Sequence, residues 1–192
     1  MGELRCAETE LHAMKWPSFT VLKGEKVMLL PFTEADITAS YLLWLNDPCV
    51  TRFSNQRFQS HNKKSCKAYL AKFADSKNLF LSIRDLEHGS AIGTMTAYIN
   101  WHHKTADVGL LVGARDSWGK GYGQDAWNTL GYWLLNHAGV RKLTAGTVAK
   151  NVGMVRIMDR FGMQHEATRF AQELIDGEPH DLVYYAKFGQ QI

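Results

Sequence analysis

The chain has 192 residues, 45% of them hydrophobic and 21% charged, which suits one well-buried core and is short for two. The net charge of +3 is mild and no basic run exceeds Lys63-Lys64, which excludes the concentrated basic face of a nucleic-acid binder. No apolar run approaches the roughly 18–20 residues of a membrane-crossing helix, and the acidic N-terminus lacks the apolar segment of a secretory signal, so no membrane partner is expected.

Residues 1–24 carry weak periodicity and a break at Trp16-Pro17, and read as an arm ahead of a single domain at 25–192. Residues 26–31 (KVMLLP) read as a first strand. Thr33-Glu34-Ala35-Asp36 has the form of a helix N-terminus, and Ile37, Tyr41, Trp44 and Leu45 follow at helical spacing. A helix is therefore predicted to run to about Leu45, where Asn46-Asp47-Pro48 ends it. Cys66, Tyr69, Leu70 and Phe73 mark a second amphipathic helix over 62–75. Three strands follow at 79–85, 91–99 and 106–112, joined by the short turns Glu87-His88-Gly89 and His102-His103-Lys104, which predicts an antiparallel meander. From Gln124 onward, Ala126, Trp127, Leu130, Trp133 and Leu134 recur at helical spacing up to a glycine stop at Gly139. Residues 142–148 read as a strand and 151–160 as a helix capped by Phe161-Gly162. The last two strands, 166–175 and 182–188, are joined at Asp176-Gly177. The pattern is that of one mixed α/β (α+β) domain.

Between the strand at 106–112 and the next helix lie four glycines, Gly113, Gly119, Gly121 and Gly123, around the run SWGKGYG. A strand, a glycine-rich turn and a helix opening from it make a place for an anion, because backbone N–H groups approach phosphate oxygens closely and the helix adds its positive end. A P-loop is excluded. Gly119-Lys120 is followed by Gly121 instead of Ser or Thr, and the residue five before Gly119 is Ala114. A dinucleotide fingerprint is formally present from Gly121 to Ala126. No acidic residue follows in 144–150 to hold a ribose, and the motif does not open a βαβ unit.

With these motifs in this order, the chain resembles the GNAT superfamily of acetyl-CoA-dependent N-acetyltransferases. The coenzyme A turn of that family, Arg/Gln-x-x-Gly-x-Gly/Ala, reads here Trp118-Gly119-Lys120-Gly121-Tyr122-Gly123. Trp118 departs from the general pattern but is similar to the branch that acetylates ribosomal-protein N-termini and nucleotide-sugar amines. Asn151-Val152-Gly153-Met154 and Arg160-Phe161-Gly162-Met163 resemble the family's N-x-x-S/A…K-x-G-F helix, and Leu45-Asn46-Asp47-Pro48 with Arg52-Phe53 resembles the branch's opening helix and loop. The resemblance spans about residues 25–188. It implies a central, mixed, mostly antiparallel and splayed sheet of about six to seven strands with about four helices. It also implies acetyl-CoA as co-substrate. The pyrophosphate would be held by the N–H groups of Gly119, Lys120, Gly121, Tyr122 and Gly123, with charge from the Lys120 side chain, and the pantetheine arm would lie along Leu110, Leu111 and Val112. Asn151 matches the asparagine that contacts coenzyme A; its plainer role is a helix N-cap.

Acetyl transfer to an amine needs a neutral nucleophile, polarisation of the thioester carbonyl and a proton for the leaving thiolate. The N–H near Val112 is the expected oxyanion donor. Asp107 stands where the branch often has Glu and is the expected base, the alternative being a solvated turn carboxylate. The family's helix often has Ser three residues after its asparagine or Tyr seven after it; here Met154 and Met158 occupy those places and cannot donate. Tyr184, Tyr185, a histidine or water remain as proton sources, with lost catalysis as the other explanation. His103 and Asp181 are candidates to face the acceptor, and Arg52 and Arg57 to meet a nucleotide diphosphate, against the plain alternative of exposed charge. Cys6, Cys49 and Cys66 form no CxxC pair and no histidines have ligand spacing, so no metal is expected, and the cytoplasm is the default compartment. The eight residues between Gly109 and Trp118, LLVGARDS, and the stretch from Leu45 to Arg57 resemble the flagellin-sugar type. That implies a small-molecule amine, an amino sugar on a nucleotide carrier. The alternatives are the N-terminus of a (ribosomal) protein, or an inactive acyl-CoA-binding protein. Packing of the arm on a second copy would make a homodimer.

Overall fold

The described residues, 21–189 of a computed structural model, hold eight strands: β1 (Leu22–Lys23), β2 (Val27–Pro31), β3 (Leu79–Asp85), β4 (Ala91–Asn100), β5 (Thr105–Val112), β6 (Lys142–Val148), β7 (Gln164–Ile175) and β8 (Glu178–Phe188). They form one sheet in the order β1-β2-β3-β4-β5-β6-β8-β7, antiparallel throughout except for the parallel pair β5–β6. The sheet thus has one strand more than expected. The addition is β1, two residues within the stretch read as an arm, pairing with β2. Residues 1–20 of that arm lie outside the described residues.

Among the described residues five α-helices accompany the sheet, one more than the sequence suggests because of the short α2: α1 (Ala39–Asn46), α2 (Pro48–Thr51), α3 (Lys63–Ala74), α4 (Tyr122–Asn136) and α5 (Val152–Arg160). No helix among the described residues is long and apolar enough to cross a membrane. Strand alternation decides which side chains meet which layer. Leu29, Leu81, Ile83, Met95, Ala106, Val108 and Leu143 point to one face, where Trp127, Leu130 and Leu134 of α4 and Met158 of α5 close a dry core. Phe32 and Phe80 point to the other, where Tyr41 and Leu45 of α1 and Cys66 of α3 form a second cluster. Gly131 of α4 makes room for the ring that caps α5 on the same face: a Cβ there would stand 2.5 Å from the Phe161 ring.

The single helix predicted from Thr33 to Leu45 is broken. Asp36 accepts hydrogen bonds from the Thr33 N–H and hydroxyl, each at 2.8 Å, and closes a 3-10 turn at Glu34–Asp36. Arg84 holds the other oxygen of the same carboxylate at 2.7 Å, and these bonds lower the Asp36 pKa against the opposing effect of burial. Thr38 then caps α1 afresh through the Tyr41 N–H. Asp47-Pro48 does end α1, and it also starts α2: the Asp47 carboxylate accepts from the Cys49 N–H at 2.8 Å, with Pro48 in the first turn.

Candidate active site

The parallel pairing of β5 with β6 is confined to Thr105–Asp107 against Lys142–Thr144. Beyond that rung the strands part. β4 holds β5 along its whole length and β8 does the same for β6, so each strand keeps its outer ladder while a fork opens between them. The register fixes what faces the opening. The Gly113 N–H donates to the Ile92 carbonyl at 2.9 Å, so by alternation Val108, Leu110 and Val112 turn their backbone groups away from β4 and into the fork. On the opposite wall the Ala149 N–H donates to the Asp181 carbonyl, which leaves Thr144, Gly146 and Val148 facing inward. Main chain presented this way takes up an extended amide-bearing chain as an added strand.

At the open end of the fork lies the glycine turn. Gly119 and Gly121 have φ of 73° and 88°, a conformation that L side chains rarely adopt, and Gly121 is the N-cap of α4. A Cβ built on Gly119 would meet nothing within 4 Å, so that residue is needed for its backbone conformation and its outer face is open. At Gly123 the constraint is space: a Cβ would stand 3.3–3.5 Å from the side chains of Val112, Ile157 and Leu110. The turn therefore presents backbone donors and the N-terminus of a 15-residue helix to an open surface, which fits a pyrophosphate. Two contacts anchor it from behind. Lys26 Nζ donates to the Lys120 carbonyl at 3.0 Å, and the Asp125 carboxylate accepts from the N–H groups of Glu25, Lys26 and Val27 at 3.1, 2.7 and 3.0 Å. The Lys120 side chain is exposed. The Trp118 indole N–H donates to the Val112 carbonyl at 2.8 Å, so this side chain fastens the tip of β5. Asn151 caps α5 through the Met154 N–H at 3.3 Å and donates to Thr147 Oγ1 at 3.0 Å.

Asp107 occupies the apex. It is paired across the sheet with Tyr98 on β4 and Thr144 on β6, and its Oδ2 accepts from Thr144 Oγ1 at 2.8 Å. The residue's overall surface is exposed, while its carboxyl is drawn against the sheet by the Thr144 bond. Burial of the carboxyl pushes its pKa up, opposed by the Thr144 bond. A raised carboxylate is a stronger base for an amine proton at neutral pH.

On the α1/α3 face, beside the apex, is a cleft of about 500 Å³ that reaches β5 at Gly109, Leu110 and Leu111. Tyr41, Tyr69 and Phe80 supply aromatic walls, while Ser54, Gln56, Gln59, His61, Thr94 and Thr96 supply polar groups. Lys72 is the one Lys or Arg among its lining residues, and none of the described residues lining it is Asp or Glu. Burial raises the pKa of Tyr41, Tyr69 and Cys66, so all three stay neutral. Sequence reasoning missed this wall, since Cys66 and Tyr69 read only as the apolar stripe of a helix.

Four of the residues expected to meet the acceptor sit elsewhere. His103 lies on the exposed β4–β5 turn, beyond the closed end of the fork; its N–H donates to Asn100 and its carbonyl accepts from Arg141. The Asp181 carboxylate accepts from the Ala171 N–H at 2.8 Å and bridges the bulge of β7, where Ala171 has a φ of 49°. Arg52 pairs with Asp176 at 2.7 Å, and Arg57 with Glu173 at 3.5 Å and with the Leu174 carbonyl at 3.1 Å. Both guanidinium groups thus tie the segment before α3 to the β7–β8 hairpin, because the hairpin tip supplies the nearest carboxylates.

A family model described as an acetyltransferase (GNAT) domain matches residues 26–164. The chain belongs to the GNAT acetyltransferases. It is an acyltransferase, and its mixed α/β fold is that of solved GNAT structures. A GNAT-family acetyltransferase from Bacillus anthracis aligns with 89% of this chain and 99% of its own at 17% identity and a TM-score of 0.75. A ribosomal L7/L12 alpha-N-protein acetyltransferase in complex with coenzyme A aligns with 88% of this chain and 98% of its own, at 14% identity and a TM-score of 0.77. A spermidine N-acetyltransferase from Vibrio cholerae, in complex with CoA and spermine, aligns with 84% of this chain and 95% of its own at 16% identity and 0.74. A sequence search of curated proteins found no match. At such identities these structures establish the GNAT fold and leave the acceptor to be argued from the cleft.

Proposed function

We propose that the chain transfers the acetyl group of acetyl-CoA to a primary amine on a hydroxyl-rich small molecule, an amino sugar on a nucleotide carrier. The observation that supports this choice is the chemistry of the cleft: hydroxyl and amide side chains and aromatic walls, with no carboxylate among its described lining residues. A polyamine would bring several ammonium groups into a space whose described lining holds no carboxylate to pair them, at a desolvation cost of several kcal/mol per ion. A sugar offers hydroxyls to Ser54, Gln56, Gln59, Thr94 and Thr96 and an apolar face to Tyr69 or Phe80. Lys72 is the cation within reach of the carrier's phosphates, in place of the paired Arg52 and Arg57.

In this reading the N–H groups of the glycine turn hold the pyrophosphate, and the fork-facing backbone of Leu110 and Val112 pairs with the pantetheine amides. Leu111 packs behind them in the second cluster. The N–H near Val112 polarises the thioester carbonyl. Asp107 takes the amine proton, directly or through a water. The domain that carries the transfer is residues 25–192, behind the arm at 1–24.

The test is release of free thiol from acetyl-CoA with a panel of 4-amino-sugar nucleotides, N-terminal peptides and polyamines. Turnover of the sugar nucleotides alone is expected. Turnover confined to peptides would replace the acceptor with a protein N-terminus. Thermal stabilisation by coenzyme A with no turnover of any amine would identify an inactive acyl-CoA-binding protein.

A further inference from the structure

Asp107 accounts for the proton that leaves the amine, and the departing thiolate calls for one in return. α5 runs beside the fork, but Met158 is completely buried and neither it nor Met154 carries an acidic proton. The opposite wall does offer one. Gly146 of β6 stands two residues beyond Thr144, on the sheet face that carries Asp107, and Tyr184 of β8 is its cross-strand partner. The Tyr184 ring lies over that glycine: a Cβ added at Gly146 would stand 2.9 Å from Cε1, 3.0 Å from Cδ1 and 3.7 Å from Cζ. A ring rooted on β8 whose carbons sit above β6 points toward the fork. Arg169 flanks the ring, 5.2 Å from its centroid. Glycine inside a strand weakens it and marks a close approach, and here the approaching group is this phenol ring. The Gly146 level lies roughly 7 Å along the strand from the Thr144–Asp107 rung, which leaves room for a reacting carbon between the two side chains.

We propose that Tyr184 is the proton donor to the coenzyme A thiolate, and that Gly146 is glycine so that the phenol can reach it. The proposal rests on the acetyltransferase reading above. The amine nitrogen bonds to the thioester carbon, and the carbonyl electrons move to oxygen. Their return breaks the C–S bond; sulfur keeps the electron pair and takes the phenolic proton. The amine proton goes to Asp107 and passes through water to the phenolate, which resets both groups. The products are the amide and the free thiol.

The experiment measures thiol release against pH, with acetyl-CoA and whichever amine the wild type accepts. Tyr184→Phe should lower kcat about 100-fold while leaving KM for acetyl-CoA and the thermal shift induced by coenzyme A unchanged. Gly146→Ala, which keeps the phenol but displaces it, should lower kcat in the same direction. Tyr184→3-fluorotyrosine, with a more acidic phenol and nearly the same shape, should move the basic limb of kcat to lower pH. A Tyr184→Phe rate within about 3-fold of wild type would overturn the assignment. So would a fluorotyrosine profile that does not move, and that second result decides the matter if the Phe variant loses its response to coenzyme A. A wild type that releases no thiol with any amine fails earlier, at the acetyltransferase reading itself.

Discussion

Asp125 ties the start of α4, and with it the glycine turn, to the chain before β2. Its carboxylate, in the first turn of α4, accepts three backbone N–H bonds from Glu25, Lys26 and Val27. Asp125→Asn can keep its oxygen at the Oδ2 place, which takes the Lys26 and Val27 N–H groups, but then turns its NH2 toward the Glu25 N–H, so one of the three bonds is lost and the other two lose their charge. Hydrogen bonds to a charged group contribute roughly 1.5–3 kcal/mol each, and at this half-exposed site water satisfies part of what is freed, leaving a loss of about 2–4 kcal/mol. For a chain of this length each kcal/mol is about 2–4 °C, so Tm should fall by roughly 5–15 °C. Gly24→Ala should act in the same direction, because its Cβ would stand 2.5 Å from Asp125 Oδ2. The glycine turn opens the same helix and Lys26 holds the Lys120 carbonyl, so the stabilisation conferred by coenzyme A should shrink as well. Thermal unfolding followed by circular dichroism, with and without coenzyme A, reads both effects. A Tm for Asp125→Asn within about 2 °C of wild type would refute the reasoning.

Asp107→Asn should lower kcat by about 10²–10⁴-fold and remove the acidic limb of its pH profile, while the response to coenzyme A persists. Burial raises this carboxyl on folding, so the folded state holds the proton more tightly; that stabilisation is complete below the unfolded carboxylate pKa and is lost as pH rises through the folded one. At neutral pH the Asn variant should therefore melt no lower than wild type, and a clear drop in Tm would show that the charged form is favoured by folding. Trp118→Phe removes the indole bond to the Val112 carbonyl and should raise KM for acetyl-CoA about 5- to 10-fold, read by initial rates, with loss of about 1 kcal/mol of stability. Gly113→Ala would place a Cβ 2.2 Å from Cδ2 of Trp44; overpacking of that kind costs about 1–3 kcal/mol, and differential scanning calorimetry should show Tm lower by roughly 2–12 °C.

Where local forces decide the structure, the chain was readable. The strands Leu79–Asp85 and Lys142–Val148 emerged with the expected bounds, because short apolar runs between turns leave little choice. The helix at Lys63–Ala74 is fixed by the Asn62 cap. The break after Asp36 was hidden because two capping threonines, Thr33 and Thr38, stand within one run of helical spacing, and spacing alone cannot say that the second restarts the helix. The acceptor side was harder. Arg52 meets Asp176 and Arg57 meets Glu173 across more than a hundred residues of chain, and no local rule pairs them. One signal was present and unused: Gly146 in the middle of a β-branched run, which marks a close approach before any partner is known.

The fork also explains why its tips are built from these residues. Main-chain groups turned away from a ladder need partners, and an opened strand pair leaves two rows of them. At the tip of β5 the inward carbonyl of Val112 accepts from the Trp118 indole at 2.8 Å. At the tip of β6 the inward carbonyl of Val148 accepts from the Asn151 N–H at 2.8 Å. At the closed end Asp107 and Thr144 satisfy one another. What lies between is a bounded length of unpaired backbone, from Asp107 to Val112, roughly 17 Å at the rise of a strand. An extended amide-bearing arm entering at the glycine turn would therefore meet partners along the wall and bring its far end to the apex. That is where the carboxylate with the raised pKa stands. The same residues that keep the opened sheet stable would thus set how deep such an arm reaches, and on the proposed reading its far end would stand beside the cleft whose described lining holds no carboxylate.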